Sequence, residues 1–176
     1  MQNNKINKTY AVALGGVIAA LSAALMLFSA VFPLAEFVLP ASAGILLIAA
    51  VYEVGEGWAL LIYAAVGLLS FLLPSNKDSA VYYILFLGFY PVLKSYLERI
   101  KNIILKWAVK LIIFNASSAA SVFVLVKLLG ITDDMFKYGY LFAALLLNLT
   151  FVVYDLAVSR LIVLYNFRLR KFIRRR

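Results

Sequence analysis

The sequence predicts an all-α polytopic membrane protein, with six transmembrane helices and both termini in the cytoplasm. Three observations predict it. Of 176 residues, 65% are apolar and 14% charged, with a mean hydropathy of +0.98; a water-soluble domain carries about a quarter charged residues. Uncharged runs are long: neither Thr9 to Ala35 nor Gly57 to Asn76 contains a charge. About 20 apolar residues at 1.5 Å rise cross the roughly 30 Å hydrocarbon core. Finally, the basic residues alternate in position with the hydrophobic runs in the way that fixes orientation.

The spans follow in order. The first covers about 10–32; it is too long for a secretory signal, although Lys5 and Lys8 precede it and small residues follow. Pro33 and Pro40 bracket a short loop, and the second span covers 41–54. Gly55 and Gly57 mark a tight turn, because glycine adopts the positive φ such turns need. The third span, 58–73, stops at Pro74, and the polar stretch PSNKDS leads to a fourth over 80–97. The fifth covers 107–129 and the sixth 138–164. Between the fourth and fifth lies an amphipathic segment, about 96–107. There Tyr96, Ile100, Ile103, Ile104 and Trp107 recur at helical spacing between Arg99, Lys101 and Lys106. Such a segment lies at the interface, with its lysines snorkelling to headgroups; a docking surface for a cytoplasmic partner is the alternative.

Charge placement sets the topology. With the N-terminus inside, the cytoplasmic segments hold Lys5, Lys8, Lys94, Arg99, Lys101, Lys106, Lys110, Arg160, Arg168, Arg170, Lys171, Arg174, Arg175 and Arg176. Only Lys77, Lys127 and Lys137 of the 17 basic residues fall outside. An odd number of spans would put the Arg-rich tail outside, against the Lys/Arg bias. The net charge of +9 thus reports topology and contact with anionic lipids at the C-terminal basic tail, rather than nucleic acid.

Several chemistries are excluded. The chain has no cysteine and no histidine, so disulfides, thiolate or imidazole metal sites and Ser/His or Cys/His catalysis are absent. There is no HExxH, no Asp-rich metal cluster and no P-loop. The expectation is a non-enzyme without cofactor or metal, unable to power transport by itself.

Polar and small residues within this apolar chain are the candidates for function. On the first helix Gly15, Ala19 and Ala23 form one ridge and Gly16, Ala20 and Ala24 another. Small-xxx-small ridges let two helix backbones approach closely in lipid, within the protein or with a separate subunit. Glu53 and Glu56 flank the tight turn. A carboxylate at a helix C-terminus is unfavourable, so Glu53 needs a cation, with Lys94 or Arg99 as candidates; a partner-binding or gating role is the sharper reading. Asp155 is the acid deepest in a span, with Arg160 nearby, and Asn115 and Asn148 are further polar groups suited to interhelical hydrogen bonds. At the outer mouth, Glu36, Phe37, Tyr82, Tyr83, Tyr138, Tyr140 and Asn148 combine aromatics with a few polar groups. That is the composition of a site for a planar small molecule and also of an interfacial aromatic belt.

The length, the six spans, the opening ALGGVIAALSAAL and the stretch ASAGILLIAAVYEVGEGWALLIYAAVGLLSFLLP resemble the substrate-binding S components of energy-coupling factor (ECF) transporters. The resemblance covers nearly the whole chain and rests on architecture and the small-residue first helix. It implies capture of a vitamin or related micronutrient at the outer face, then delivery to a transmembrane coupling subunit with two cytoplasmic ATPases. It implies coupling contacts at Gly16, Ala20 and Ala24, or at the neighbouring ridge, and a ligand site among Glu36, Tyr82, Tyr83 and Asn148. It also argues against a metal substrate, since the N-terminal histidine of nickel and cobalt members is missing. The alternative is a non-catalytic structural or regulatory membrane subunit without a ligand. A lipid-active enzyme using Glu53, Glu56 or Asp155 is a further class.

Overall fold

In the computed structural model, residues 8–32, 35–72, 76–130 and 139–169 are described. All regular structure among them is helical: α1 (Lys8–Phe28), α2 (Val38–Glu53), α3 (Glu56–Leu72), α4 (Lys77–Tyr82), α5 (Tyr90–Leu97), α6 (Ile103–Phe123) and α7 (Tyr140–Leu164). Four helical stretches have the length and composition to cross a membrane: Lys8–Phe28, Lys77–Leu97, Ile103–Lys127 and Ala144–Phe167. Two apolar helices, Val38–Glu53 and Glu56–Leu72, are shorter. An all-helical chain with four long apolar helices is the architecture of an all-α membrane protein. The chain forms two compact units, residues 1–106 and 107–176.

In the first unit, α1 buries Ala11, Gly15, Ile18, Ser22 and Met26, a stripe that recurs every three or four residues and so lies on one face. It packs with Ala43, Leu47 and Ala50 of α2 and Ala59, Ile62 and Val66 of α3. Lipid tails are as apolar as these side chains, so close packing and interhelical hydrogen bonds hold the unit together. The Ser22 hydroxyl accordingly donates to the Ala43 carbonyl, 3.2 Å away on α2. Gly55, at φ +95°, makes the turn from α2 to α3.

Helix ends differ from the sequence expectation, and three of the differences have a local cause. Helix α2 begins at Val38, so Pro40 lies inside its first turn rather than before it. The first turn has no intrahelical acceptor for that nitrogen, so proline costs little there. Helix α4 begins at Lys77 because the Asn76 side chain caps it, accepting from the Asp78 N–H at 2.9 Å. The amphipathic segment is not one helix: α5 ends at Leu97, and α6 starts afresh at Ile103. Asn102 Oδ1 accepts the N–H groups of Ile104 and Leu105 and starts the new helix.

The span from Lys77 to Leu97 contains a widened π turn, Tyr83–Leu87, closed by the Gly88 N–H donating to the Tyr83 carbonyl at 2.8 Å. Pro91 supplies a reason. A regular α-helix would offer the residue 91 N–H to the Leu87 carbonyl, and proline has none. The Leu87 carbonyl instead lies against Gly44 of α2, where an added Cβ would come within 2.1 Å of it. The Tyr63 hydroxyl on α3 donates to the neighbouring Ile84 carbonyl at 2.5 Å.

The second unit is built on α6 and α7. Lys110 Nζ bonds both carboxylate oxygens of Asp155 at 3.0 Å, and both residues are almost completely buried. One turn further along α6, Phe114 stacks on Phe151, ring centroids 4.5 Å apart and 10° from parallel. Asn115 and Asn148 then exchange amide hydrogen bonds at 2.9 and 3.1 Å. Four residues forward on one helix match four back on the other, which is antiparallel register. The Lys110 ammonium also lies 5.1 Å from the Trp107 ring. Lys110, expected in a cytoplasmic segment, is therefore a buried residue of α6, and it rather than Arg160 binds Asp155.

Candidate functional site

Polar side chains of the first unit collect at its two ends. One end joins the loop before α2 to the start of α4. Asn76 holds two bonds in opposite directions: its Oδ1 caps α4, and its Nδ2 donates to Glu36 Oε1 at 3.1 Å. The cap fixes which way the amide faces, since only the oxygen can accept the Asp78 N–H. Glu36 is thereby met by a donor and acts as an acceptor. The Ser79 hydroxyl donates to the Glu36 carbonyl at 3.0 Å, holding its backbone as well. Beside it, Phe37 stacks on Tyr82 with ring centroids 4.5 Å apart and 24° between planes. Among the described residues Glu36 makes no ion pair. Lys77 Nζ bonds the Phe71 carbonyl at 2.6 Å and lies over the Phe71 ring.

The opposite end gathers Glu56, Ser95, Tyr96 and Arg99. Glu56 Oε1 accepts from the Arg99 guanidinium and from the Ser95 hydroxyl, the latter at 2.9 Å, and Tyr96 bonds the same carboxylate. Glu56 sits at the turn ahead of the apolar run that starts at Trp58. Burial alone would raise its carboxyl pKa. The hydrogen bonds from Tyr96 and Ser95 and the Arg99 charge outweigh that and hold it below the usual carboxylate range. Glu98 bridges Lys94 and Lys106 at 3.6 and 2.9 Å. The cation at this turn, Arg99, pairs with Glu56; Glu53 lies close enough to act electrostatically on Tyr10 of α1.

The two ridges of α1 part company. Gly15 is buried, and an added Cβ would meet the Ile62 side chain at 3.3 Å. Gly16 has nothing within 4 Å of such a Cβ, and with Ala20 it is exposed; Ala24 is half-buried. Gly15 is used inside the unit, and Gly16 and Ala20 face outward.

Of the four residues expected at a ligand site, the structure brings Glu36 and Tyr82 to one place. Tyr83 points into the core, fully buried, with its ring against Gly88 and 5.8 Å from that of Tyr63. Its hydroxyl has no hydrogen-bond partner among the described residues. Asn148 belongs to the second unit, where its donors go to Asn115 and to the Ala144 carbonyl. Tyr138, Pro33, Pro74 and the tail from Arg170 to Arg176 lie outside the described residues, as does the side chain of Tyr140. Asn76, Ser79 and Ser95 were not singled out from sequence, and Tyr96 only as an apolar position of the amphipathic segment. Asn76 carried a readable signal, since Asn-Lys-Asp before an apolar run is a helix-start pattern. No group of three or more metal-ligating side chains occurs among the described residues.

Comparison with protein-family models, with curated proteins and with solved structures yields no match.

Proposed function

We propose that this chain is the membrane-embedded substrate-capturing subunit of an ECF-type importer. In this reading six spans leave both termini in the cytoplasm of a prokaryotic cell. A vitamin or related micronutrient is taken at the Glu36 end. It is then handed to a transmembrane coupling subunit that works with two cytoplasmic ATPases.

The observation that carries the proposal is the division of labour on α1. A helix needs one small-residue ridge to pack into its own bundle, and Gly15 serves that purpose against Ile62. The second ridge, Gly16 and Ala20, is exposed. Small residues facing outward in a membrane let another helix approach closely, as docking on a coupling subunit requires. The arrangement of α4 and α5 supports the same reading. This one span carries Ser79 and Tyr82 at the Glu36 end and Ser95 at the Glu56 end, with Arg99 just beyond it, so a ligand at one end has a covalent path to the other. The chain performs no chemistry: it binds, and the ATPases supply direction.

The test is affinity purification of the tagged protein from its native membrane in mild detergent, with partners identified by mass spectrometry. The proposal expects a larger membrane subunit and two ATPases. It also expects Gly16→Leu with Ala20→Leu to lower their recovery about tenfold, equivalent to ~1.4 kcal/mol, at unchanged thermal stability. Recovery of the protein alone, under conditions that preserve such complexes, would favour a structural or regulatory subunit.

A further inference from the structure

We infer that the Glu36 end is built for a flat, positively charged nitrogen heterocycle or aromatic amine, and that it selects against anionic ligands. The inference rests on the proposed reading of this end as the capture site and names the chemical class it takes.

The geometry gives two complementary surfaces side by side. One is a carboxylate. Glu36 is half-buried, and a carboxylate removed from water needs a cation or several donors. Here it has one side-chain donor, the Asn76 amide, on Oε1. No lysine or arginine among the described residues pairs with it. Lys77, next to Asn76 in the chain, is drawn to the Phe71 carbonyl and ring. The other surface is the stacked pair Phe37 and Tyr82. A stacked pair offers aromatic faces, and such faces attract flat rings and cations.

The carboxylate is also preorganised. The Asn76 amide cannot flip without losing the α4 cap, and the Ser79 hydroxyl holds the Glu36 backbone. A ligand N–H would meet an acceptor already oriented, so little ordering cost opposes binding. A cationic ring satisfies both surfaces at once: its charge balances Glu36, and its face lies on the aromatic pair. A carboxylate- or phosphate-bearing ligand would be repelled by Glu36.

A matched set of probes tests this. Nicotinamide, nicotinate and 1-methylnicotinamide share one flat ring and are neutral, anionic and cationic. Binding to the full-length protein in nanodiscs, at millimolar probe, is read by saturation-transfer NMR. The cation is expected to bind about tenfold more tightly than the neutral ring, with no binding of the anion. Glu36→Gln is expected to remove the preference for charge while weak ring binding persists. Phe37→Leu is expected to weaken the cation and the neutral ring alike. Equal or tighter binding of the anion, no binding of any probe, or a charge preference that survives Glu36→Gln would each overturn the inference. Partner recovery is measured separately. ATPases recovered without cation preference would refute the ligand class and leave the importer reading standing; cation preference without partners would do the reverse.

Discussion

The two units hold their helices together by different means. In the first, backbones are brought close. Gly44 admits the Leu87 carbonyl, Gly15 admits Ile62, and the polar groups of the core are mostly serine and tyrosine hydroxyls bonded to carbonyls. In the second, side chains reach across: Lys110 to Asp155, Phe114 to Phe151, Asn115 to Asn148. Close backbone packing tolerates changes of charge elsewhere but no added atom at the contact. A ladder of long side chains tolerates added atoms on its outer face but no unbalanced charge.

This difference can be broken experimentally. The largest effect is expected in the second unit. Asp155→Leu leaves the Lys110 ammonium buried without its carboxylate and should cost about 3–5 kcal/mol, read as a lower unfolding midpoint in detergent. The double change Lys110→Met with Asp155→Leu should recover most of that loss, because two apolar side chains need no pairing there. If the double variant is as unstable as the single one, the pair acts through something other than charge balance.

In the first unit, Gly44→Ala should cost about 3 kcal/mol, since its Cβ would lie 2.1 Å from a carbonyl oxygen that belongs to backbone and cannot rotate away. Gly16→Ala on the neighbouring helix should change thermal stability by less than about 0.5 kcal/mol. Equal effects at the two glycines would refute the account of the close approach.

Glu56→Gln should have a smaller effect, about 1 kcal/mol or less, because Arg99 is largely exposed. Its sign against pH is definite. A carboxyl held below its unfolded pKa stabilises the fold above that ordinary value, about 4.3, and the benefit disappears as pH falls through the lowered folded value. The stability gap between wild type and Glu56→Gln should therefore be full near neutral pH and close on acidification. A gap that widens in acid would reverse the assignment. The smallest effect, of opposite sign, belongs to Tyr83→Phe. The buried hydroxyl has no partner among the described residues, so its removal should leave the unfolding midpoint unchanged or raise it slightly.

The helical membrane class was legible because composition and run length report the solvent directly, and Gly55 was legible as a turn because its left-handed φ follows from the residue itself. What stayed hidden lies between helices. Asp155 could be marked as costly, but its partner 45 residues away depends on the register of α6 against α7, which periodicity along one helix does not contain. Pro40 looked like a boundary because proline ends helices more often than it opens them. Pro91 lies inside the fourth span that run length predicts, and nothing in the sequence shows that Gly44 receives the displaced carbonyl. At the candidate site, Glu36 and Tyr82 drew attention by type, while Asn76, which orients Glu36, looked like an ordinary turn residue. Tyr82 and Tyr83 look equivalent in the sequence, and consecutive helical positions point about 100° apart, so one reaches the Glu36 end and the other the core.

The contact between Gly44 and Leu87 has a mechanical consequence. With only a hydrogen separating a helix backbone from the carbonyl of its neighbour, α2 and the π turn cannot slide past one another by a turn without driving a side chain into that carbonyl. Pro40 and Ile48 lie one turn to either side of the glycine on the same face of α2, and each carries the Cβ that Gly44 lacks. Movement that passes from the Glu36 end to the Glu56 end must therefore carry α2 and the π turn as one body, with flexing left to the turns on either side.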